Sequence, residues 1–329
     1  MVAKMVSATF IMFIVLVAID WQKMYRIAKN ADGRMLLYAL FFAGVSYAAT
    51  TFAFISVCHL FHVRIGWAKL FLIGFFTIAL NNVFTVVGYG IRMSHLKSER
   101  VYAKDVLAAS LLHASLVPFA LFACSPFVFA YIFFDNNISR VGEGFAATAF
   151  ILVCIASLCL TLFFFMSGFR MRVLKFTALI SKFLSHRPMI DHFMEFDDAL
   201  SRGMVALRHA RSQWFLLFVL IAADLAGSIL ALWFCFYAFK TVIHPGSLLI
   251  GFFLGILAGL ISMVPGGLGV QEGSIAGVLT FFGVALERGV LASILFRTVY
   301  YFVPLAVGYA LHFWLNQNRT SLVSHERRA

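Results

Sequence analysis

Apolar runs of about twenty residues follow one another almost end to end along this chain of 329 residues. Runs of that length are what an α-helix needs to cross the hydrocarbon core of a bilayer. The composition agrees, since 62% of the residues are hydrophobic and only 12% are charged. Because backbone groups in hydrocarbon must satisfy their own hydrogen bonds, such runs predict helices. The chain is therefore predicted to be an all-α polytopic membrane protein and not a water-soluble globule.

The uninterrupted runs predict about six full spans. The first is as short as a signal peptide, but Asp20-Trp21-Gln22 offers no small-residue cleavage site, so it is expected to remain as an uncleaved helix. The basic and aromatic stretch after it, residues 21–34, has the spacing of a short helix lying at the membrane interface. The six predicted spans are residues 5–19, 34–58, 105–134, 145–169, 212–239 and 290–315.

A further apolar segment, residues 70–91, is interrupted. Asn81 and Asn82 lie inside it, and Gly88-Tyr-Gly90 is predicted to end it. Two adjacent amides in hydrocarbon are costly unless they are paired. The segment is therefore predicted to be a re-entrant hairpin of two half-length helices, with the break at the amides. A full span over the same residues stays open as the alternative.

Residues 248–283 form the second interrupted segment. Its centre is a proline followed by three closely spaced glycines, which predicts a tight turn between two apolar helices. Irregular backbone at membrane depth is tolerated only where protein buries it or a polar cavity solvates it. Corresponding interrupted segments in two halves of a chain point to a transporter site between inverted repeats. The turn residues are Pro265, Gly266, Gly267 and Gly269.

Charge predicts the orientation. The polar connector at residues 170–211 carries eight Lys or Arg residues with helical spacing of its apolar positions, which predicts cytoplasmic amphipathic helices. The basic tail after residue 316 is predicted to be cytoplasmic too, which requires the second hairpin to re-enter from outside or to cross twice. The predicted organisation is a first membrane half at 1–169, the connector, and a second half at 212–329. The two halves are then mirror images.

Several function classes are disfavoured. The net charge of +12 arises from basic residues between spans, without the aromatic-interleaved stripe of a nucleic-acid surface. The five cysteines lie in apolar segments and form no Cys-x-x-Cys pair. His59 and His62 have no third ligand at metal-binding spacing. No Walker loop, nucleophile elbow or metalloprotease motif is present. We therefore expect no cofactor, no metal, no nucleic-acid partner and no enzyme activity.

The glycine turn is the first candidate site. The helix that begins near Val270 presents unpaired N–H groups and the positive end of its dipole, and glycine lets a phosphate approach the backbone. A tight turn that needs glycines only for its dihedral angles is the competing interpretation.

Charged residues inside the predicted spans are the second candidate set. Arg297 and Asp224 lie within spans, where a charge is expensive enough to suggest function. A structural ion pair between them is the alternative. Glu272 is expected to pair with Arg297 or Arg92, or to take up a proton. Arg92 has the forked geometry that suits a lipid phosphate, but it also fits an ordinary positive-inside residue.

The complete set of predicted substrate-binding residues combines the two hairpins with the charged spans. It comprises Asn81, Asn82, Gly88, Gly90, Arg92, Asp224, Pro265, Gly266, Gly267, Gly269, Glu272, Arg297 and Tyr300.

Three motifs carry a family resemblance. The segment Val264-Pro-Gly-Gly-Leu-Gly-Val-Gln-Glu272, then Phe296-Arg-Thr-Val-Tyr-Tyr-Phe-Val-Pro304, resembles the C-terminal signature of the lysylphosphatidylglycerol synthase transmembrane family, also called the flippase-like family. The stretch from Asn81 to Arg92 is similar to its first-half signature. The resemblance implies a bacterial inner-membrane protein related to a lipid flippase, as a free-standing member without an aminoacyl-transferase domain. The Gly88-Tyr-Gly90 spacing departs from the paired glycines of lipid-flipping relatives.

The expected function is to bind an amphiphile with an anionic head, a phospholipid or polyprenyl phosphate, and to move it between leaflets. A membrane subunit of an enzyme that modifies lipid head groups is the first alternative, with Glu272 as a general base. A scaffold for envelope enzymes acting through residues 170–211 is the second. The sequence leaves a homodimer and protein partners from envelope biogenesis open.

Overall fold

The computed structural model describes residues 21–61, 63, 65–84, 87–98, 102–130, 140–185, 190–262 and 264–313. All regular structure within these ranges is helical. The predicted first span and the C-terminal tail lie outside the described residues. The helices are α1 (Trp21–Lys29), α2 (Gly33–Leu60), α3 (Trp67–Phe84), α4 (Val87–Ser98), α5 (Ala103–Ala130), α6 (Arg140–Phe165), α7 (Ser167–Ser185), α8 (Ile190–His209), α9 (Arg211–Ala238), α10 (Pro245–Ser262), α11 (Val270–Thr280) and α12 (Leu286–Arg297).

Six helical stretches in the described ranges are long and apolar enough to cross a membrane. A seventh crossing would result if α6 and α7, which are bent by 106° at a short break, formed one span. The prediction of an all-α polytopic membrane protein is confirmed. The six stretches are Gly33–Leu60, Trp67–Phe84, Asp105–Ala130, Ser212–Ala238, Pro245–Ser262 and Leu286–Phe313.

Each interrupted segment contains one long and one short helix. The first arms, α3 and α10, have 18 residues each, or about 27 Å. The second arms, α4 and α11, have 12 and 11 residues, about 18 and 16 Å, and are too short for a hydrocarbon core of about 30 Å. Re-entry of both hairpins, and their opposite orientation, stays a prediction.

The predicted position of the first break was wrong. Asn81 and Asn82 lie inside α3, which continues to Phe84, and Gly88 and Gly90 lie inside α4 and not in a turn. The amides fit within a helix because Asn81 accepts a hydrogen bond from the Tyr89 N–H and Asn82 donates one to the Tyr47 hydroxyl. Partners distant in sequence therefore remove the desolvation cost that the prediction assigned to the pair.

The chain forms two compact units. One contains residues 1–51, 66–92 and 223–329, and the other contains residues 52–65 and 93–222. The first unit holds both hairpins, the early part of α2, most of α9 and the last membrane helix. It thus draws on both sequence halves.

In the second unit, α5 packs against α6 and α8, and α7 packs against α8. Most of the described part of the predicted connector is helical and lies in α7 and α8. Its amphipathic character and its cytoplasmic side stay predictions. The chain turns at Met166, so that α7 begins before the predicted boundary at residue 170. Buried Arg170 stabilises the turn: it pairs with Asp197 and donates hydrogen bonds to the Ser201 hydroxyl at 2.5 Å and the Phe164 carbonyl at 3.2 Å.

Candidate functional site

The site is built around the turn between α10 and α11, in the first unit. Pro265–Gly267 forms one turn of 3-10 helix, and three glycines adopt positive φ angles: 62° at Gly266, 62° at Gly267 and 78° at Gly269. A side chain with a Cβ atom is strained in this conformation, which explains the glycines. The Glu272 carboxylate accepts a hydrogen bond from the Gly269 N–H at 2.8 Å and so caps the start of α11.

Arg297 fastens this turn to the last membrane helix. Its Nε pairs with the Glu272 carboxylate, and Nη1 donates to the Gly266 carbonyl at 2.6 Å. Nη2 donates to the Gln271 side-chain oxygen at 3.1 Å, and the guanidinium lies 4.5 Å from the centre of the Tyr301 ring. All three guanidinium nitrogens are thus engaged by the hairpin. Of the two partners considered from the sequence, the structure selects Glu272 and not Asp224.

The tips of the two hairpins meet backbone to backbone. A Cβ atom at Gly266 would lie 2.9 Å from the carbonyl oxygen of Val83 and 3.2 Å from that of Asn82. Both carbonyls belong to the last turn of α3, next to the break in the first hairpin. The two interruptions that were recognised separately in the sequence therefore occupy one place in the folded unit.

The first hairpin is closed by equally tight contacts. A Cβ atom at Gly88 would lie 2.2 Å from the Thr77 carbonyl oxygen, so α4 can approach α3 this closely only with glycine there. Asn81 accepts the Tyr89 N–H at 3.1 Å and satisfies one of the unpaired donors at the start of α4. Arg92 is fully buried, and its Nε donates to the Thr77 hydroxyl at 3.0 Å.

Asp224 lies in a separate polar cluster beside the hairpin tips. It accepts a hydrogen bond from the Ser46 hydroxyl, and the Tyr300 hydroxyl lies 2.6 Å from Ser46 and 3.4 Å from the Asp224 carboxylate. The Tyr300 ring lies 5.3 Å from that of Tyr47. Tyr47 in turn accepts a hydrogen bond from Asn82 at 2.8 Å. This cluster, which we call the Asp224 cluster, comprises Asp224, Ser46, Tyr300, Tyr47 and Asn82.

A π-helical turn, Thr298–Phe302, continues α12 and carries Tyr300 and Tyr301. Pro304 follows it and has no N–H to donate to the carbonyl of residue 300, which favours the wider turn at this point. The Tyr301 hydroxyl contacts the Gln271 side-chain oxygen at 3.1 Å. Tyr301 also lies under the Arg297 guanidinium, and its ring centre is 5.5 Å from that of Tyr300. The residues around Arg297 are therefore next to the Asp224 cluster.

The structure brings together twelve of the thirteen predicted residues and separates one. Gly90 is exposed, and no atom lies within 4 Å of the position of its Cβ. The sequence reasoning missed five residues that bridge the site. Gln271 and Tyr301 stood inside the recognised motifs, and the polar Ser46-Tyr47 pair in an apolar span was a usable signal. The five are Ser46, Tyr47, Thr77, Gln271 and Tyr301.

In this arrangement a negative ligand would compete with Glu272 for the Arg297 guanidinium, since each of its nitrogens already has an acceptor. Within the part of the chain that the structure describes, no group of three or more His, Cys, Asp or Glu side chains is placed to hold a metal ion. His62 lies outside the described residues.

Comparison with known proteins identifies a family and a relative. The family model described as the lysylphosphatidylglycerol synthase TM region matches residues 1–308. A protein of Methanothermobacter thermautotrophicus described as a UPF0104 membrane protein is 26% identical over 136 residues, which are 41% of this chain and 38% of that protein. The aligned stretch thus covers well under half of either chain.

Proposed function

Because the chain belongs to the lysylphosphatidylglycerol synthase transmembrane-region family, we propose that it binds an amphiphile with an anionic, phosphate-bearing head group and moves it between the leaflets of the membrane. The observation that carries the proposal is the meeting of two interrupted hairpins at a glycine turn that holds the buried Arg297. Broken helices that meet in this way form substrate sites in transporters with repeated halves.

Arg297 is the residue proposed to bind the head group. Its planar guanidinium matches a phosphate in two-point geometry, and it is held at the glycine turn by its hydrogen bond to the Gly266 carbonyl. A phosphate that displaced Glu272 would keep Arg297 paired with an anion, while the released Glu272 carboxylate would keep only its hydrogen bond from the Gly269 N–H. Arg92 supplies a second positive charge, at the base of the first hairpin.

The proposal can be tested by reconstituting the purified protein into liposomes with labelled anionic phospholipids and following their passage between leaflets. Arg297→Gln is expected to reduce the rate at least tenfold. Arg288→Gln provides the matched control, because Arg288 lies in the same helix but is exposed. Lack of movement in wild type, or equal rates in both variants, would refute the assignment. Mass spectrometry of lipids retained by the protein would identify the head group.

The same experiment separates the competing classes. A chemically new lipid species would favour an enzyme subunit with Glu272 as the base, although its pairing with Arg297 argues against that role. Neither movement nor modification would favour a scaffold that acts through residues 170–211. Location in a bacterial cytoplasmic membrane, a cytoplasmic C-terminus, envelope-biogenesis partners and a homodimer belong to this proposal and rest on the sequence arguments alone.

A further inference from the structure

The two carboxylates beside the hairpin tips have different kinds of partner. Glu272 pairs with Arg297 and also accepts the Gly269 N–H. Asp224 is 5% exposed, and its partners are the hydroxyls of Ser46 and Tyr300. Among the described residues no basic side chain pairs with Asp224.

The difference in partners determines which of the two carboxylates, Glu272 or Asp224, can be protonated at a low cost in free energy. Protonating Glu272 would leave the buried Arg297 charge without its anionic partner, which is strongly unfavourable. Protonating Asp224 removes a charge that no basic side chain balances, inside a span where charges are expensive. An intramembrane carboxylate of this second kind is typical of a proton relay.

We propose that Asp224 is the proton-binding group that couples lipid movement to a proton gradient. The inference rests on the transport function proposed above and adds the coupling ion and its site. The titratable groups that face Asp224 are Tyr47 from α2 and Tyr300 from the π-helical turn. Tyr301 lies next to Tyr300, Arg297 lies over the Tyr301 ring, and Glu272 pairs with Arg297.

Charge gives the coupling its direction. Arg297 and Glu272 balance each other, so the group formed by Arg297, Glu272 and Asp224 has a formal charge of −1 when Asp224 is ionised. A proton on Asp224 raises that charge to zero, which favours an anionic head group. By linkage, a bound anion favours the proton equally. Proton and anionic lipid are therefore expected to move in the same direction.

The Asp224 cluster also supplies a physical connection to the hairpin tips. An ionised carboxylate only accepts hydrogen bonds, whereas a protonated one also donates. The hydroxyls of Ser46 and Tyr300 both contact Oδ1 of Asp224, so a proton on that oxygen would reverse their hydrogen bonds, and a proton on Oδ2 would weaken them by removing the negative charge. The Tyr300 ring contacts Tyr47, Tyr47 is hydrogen-bonded to Asn82, and the Asn82 carbonyl lies against Gly266. The proton is taken up from water on one side and released on the other, and no other bond is made or broken.

Proton binding can be measured without transport, by infrared difference spectroscopy of the purified protein across a pH titration. We expect a carbonyl band of a protonated carboxyl group that is lost in Asp224→Asn and kept in Glu272→Gln. Ser46→Ala should shift the frequency of that band, because it removes a hydrogen bond to the carboxyl. Ser228→Ala is the matched control, since Ser228 is equally buried on α9 but bonds within its own helix. A band that survives Asp224→Asn unchanged, or no band in wild type, would overturn the proposal.

Coupling is measured in proteoliposomes with a labelled anionic phospholipid. One pH unit corresponds to a tenfold change in an equilibrium ratio, so with one proton per lipid it should shift the leaflet distribution up to tenfold towards the alkaline side. Asp224→Asn should lose this shift, and a sodium gradient should not produce it. If the distribution of labelled lipid between the leaflets does not change with the pH gradient, or shifts towards the acidic side, the coupling is contradicted. Lack of any lipid movement together with the infrared band would refute the transport function and leave the proton site standing.

Discussion

The Val83 carbonyl oxygen lies 2.9 Å from the position that a Cβ atom would take at Gly266. These residues belong to different hairpins, 183 positions apart in the chain, and their backbones touch because the turn has no side chain. The contact makes the two hairpins a single mechanical element, since neither tip can move without changing the other.

Gly266→Ala should therefore impair lipid movement more than its backbone strain alone explains. The left-handed conformation costs a non-glycine residue about 1–2 kcal/mol, and the added methyl group also presses on Val83. Gly283→Ala is the control, because Gly283 has a φ of 79° but nothing within 4 Å of its Cβ position. Both variants should have a lower melting temperature than wild type in thermal unfolding, while the transport rate should fall only in Gly266→Ala. Equal transport in the two would reduce the turn to an ordinary connector.

The first hairpin offers a similar comparison between Gly88 and Gly90. Gly88→Ala should destabilise the protein by roughly 1–3 kcal/mol or more, because its Cβ would lie 2.2 Å from the Thr77 carbonyl. Gly90→Ala should be neutral or stabilise by about 0.5–1 kcal/mol, since its Cβ meets open space inside a helix. Thermal unfolding in detergent measures both. Tolerance of alanine at Gly88 would show that α4 does not pack this closely.

The second hairpin was predicted correctly from the sequence at its turn, whereas the break of the first hairpin was not. The turn at Pro265–Gly267 was predictable because positive φ angles select glycine locally. The break of the first hairpin was misplaced by several residues because the partners of Asn81 and Asn82 come from α4 and α2. The sequence shows the cost of burying two amides, but it does not show the hydrogen bonds from distant residues that offset this cost.

The Arg297 and Glu272 pair predicts a thermodynamic cycle. Arg297→Gln or Glu272→Gln should each destabilise by about 3–5 kcal/mol, because the remaining charge is buried without its partner. The double variant should regain part of that loss, as judged by melting temperature, yet stay inactive in lipid transfer. Arg297→Lys should recover little, since an ammonium group cannot reach Glu272, Gly266 and Gln271 together. Additive effects of the single variants, or wild-type transfer in the double, would contradict this account.

The buried pair in the second unit predicts a difference between adjacent aspartates. Asp197→Asn should destabilise by roughly 3–5 kcal/mol, because it strands the Arg170 charge at the bend between α6 and α7. Asp198→Asn should change the unfolding free energy by less than about 0.5 kcal/mol, since Asp198 is exposed. Similar melting temperatures for the two variants would argue against a role of Arg170 in holding the bend.

The orientation of the hairpins can be tested with single cysteines in a cysteine-free background. Gly66→Cys and Tyr102→Cys flank the first hairpin at exposed positions, and Val242→Cys and Ala285→Cys flank the second. In intact cells an impermeant thiol reagent should label the second pair and spare the first. If Gly66→Cys and Tyr102→Cys report opposite sides, the first segment crosses fully and the inverted repeat is wrong.

The charged residues of the candidate site could be predicted from the sequence, but the partner of each charge could not. Arg297, Asp224 and Glu272 were recognisable because ionisable groups inside apolar spans are expensive. Which of the carboxylates faces Arg297 depends on how α11 packs against α12, and spacing along the chain does not determine that. Ser46, the partner of Asp224, is an ordinary small residue until the fold places it there.

The π-helical turn at Thr298–Phe302 makes the last helix sensitive to its residue count. A single π-turn corresponds to one residue more than an α-helix needs, and each residue rotates an α-helix by about 100°. Deleting one residue here would relax the turn into regular helix and swing everything after it around the axis. Gly308 and His312, which both pack on Phe76, would then point elsewhere. The extra residue in the turn thus sets the direction in which the later side chains of this helix point. Substitutions in the turn should therefore be tolerated more readily than a change of length.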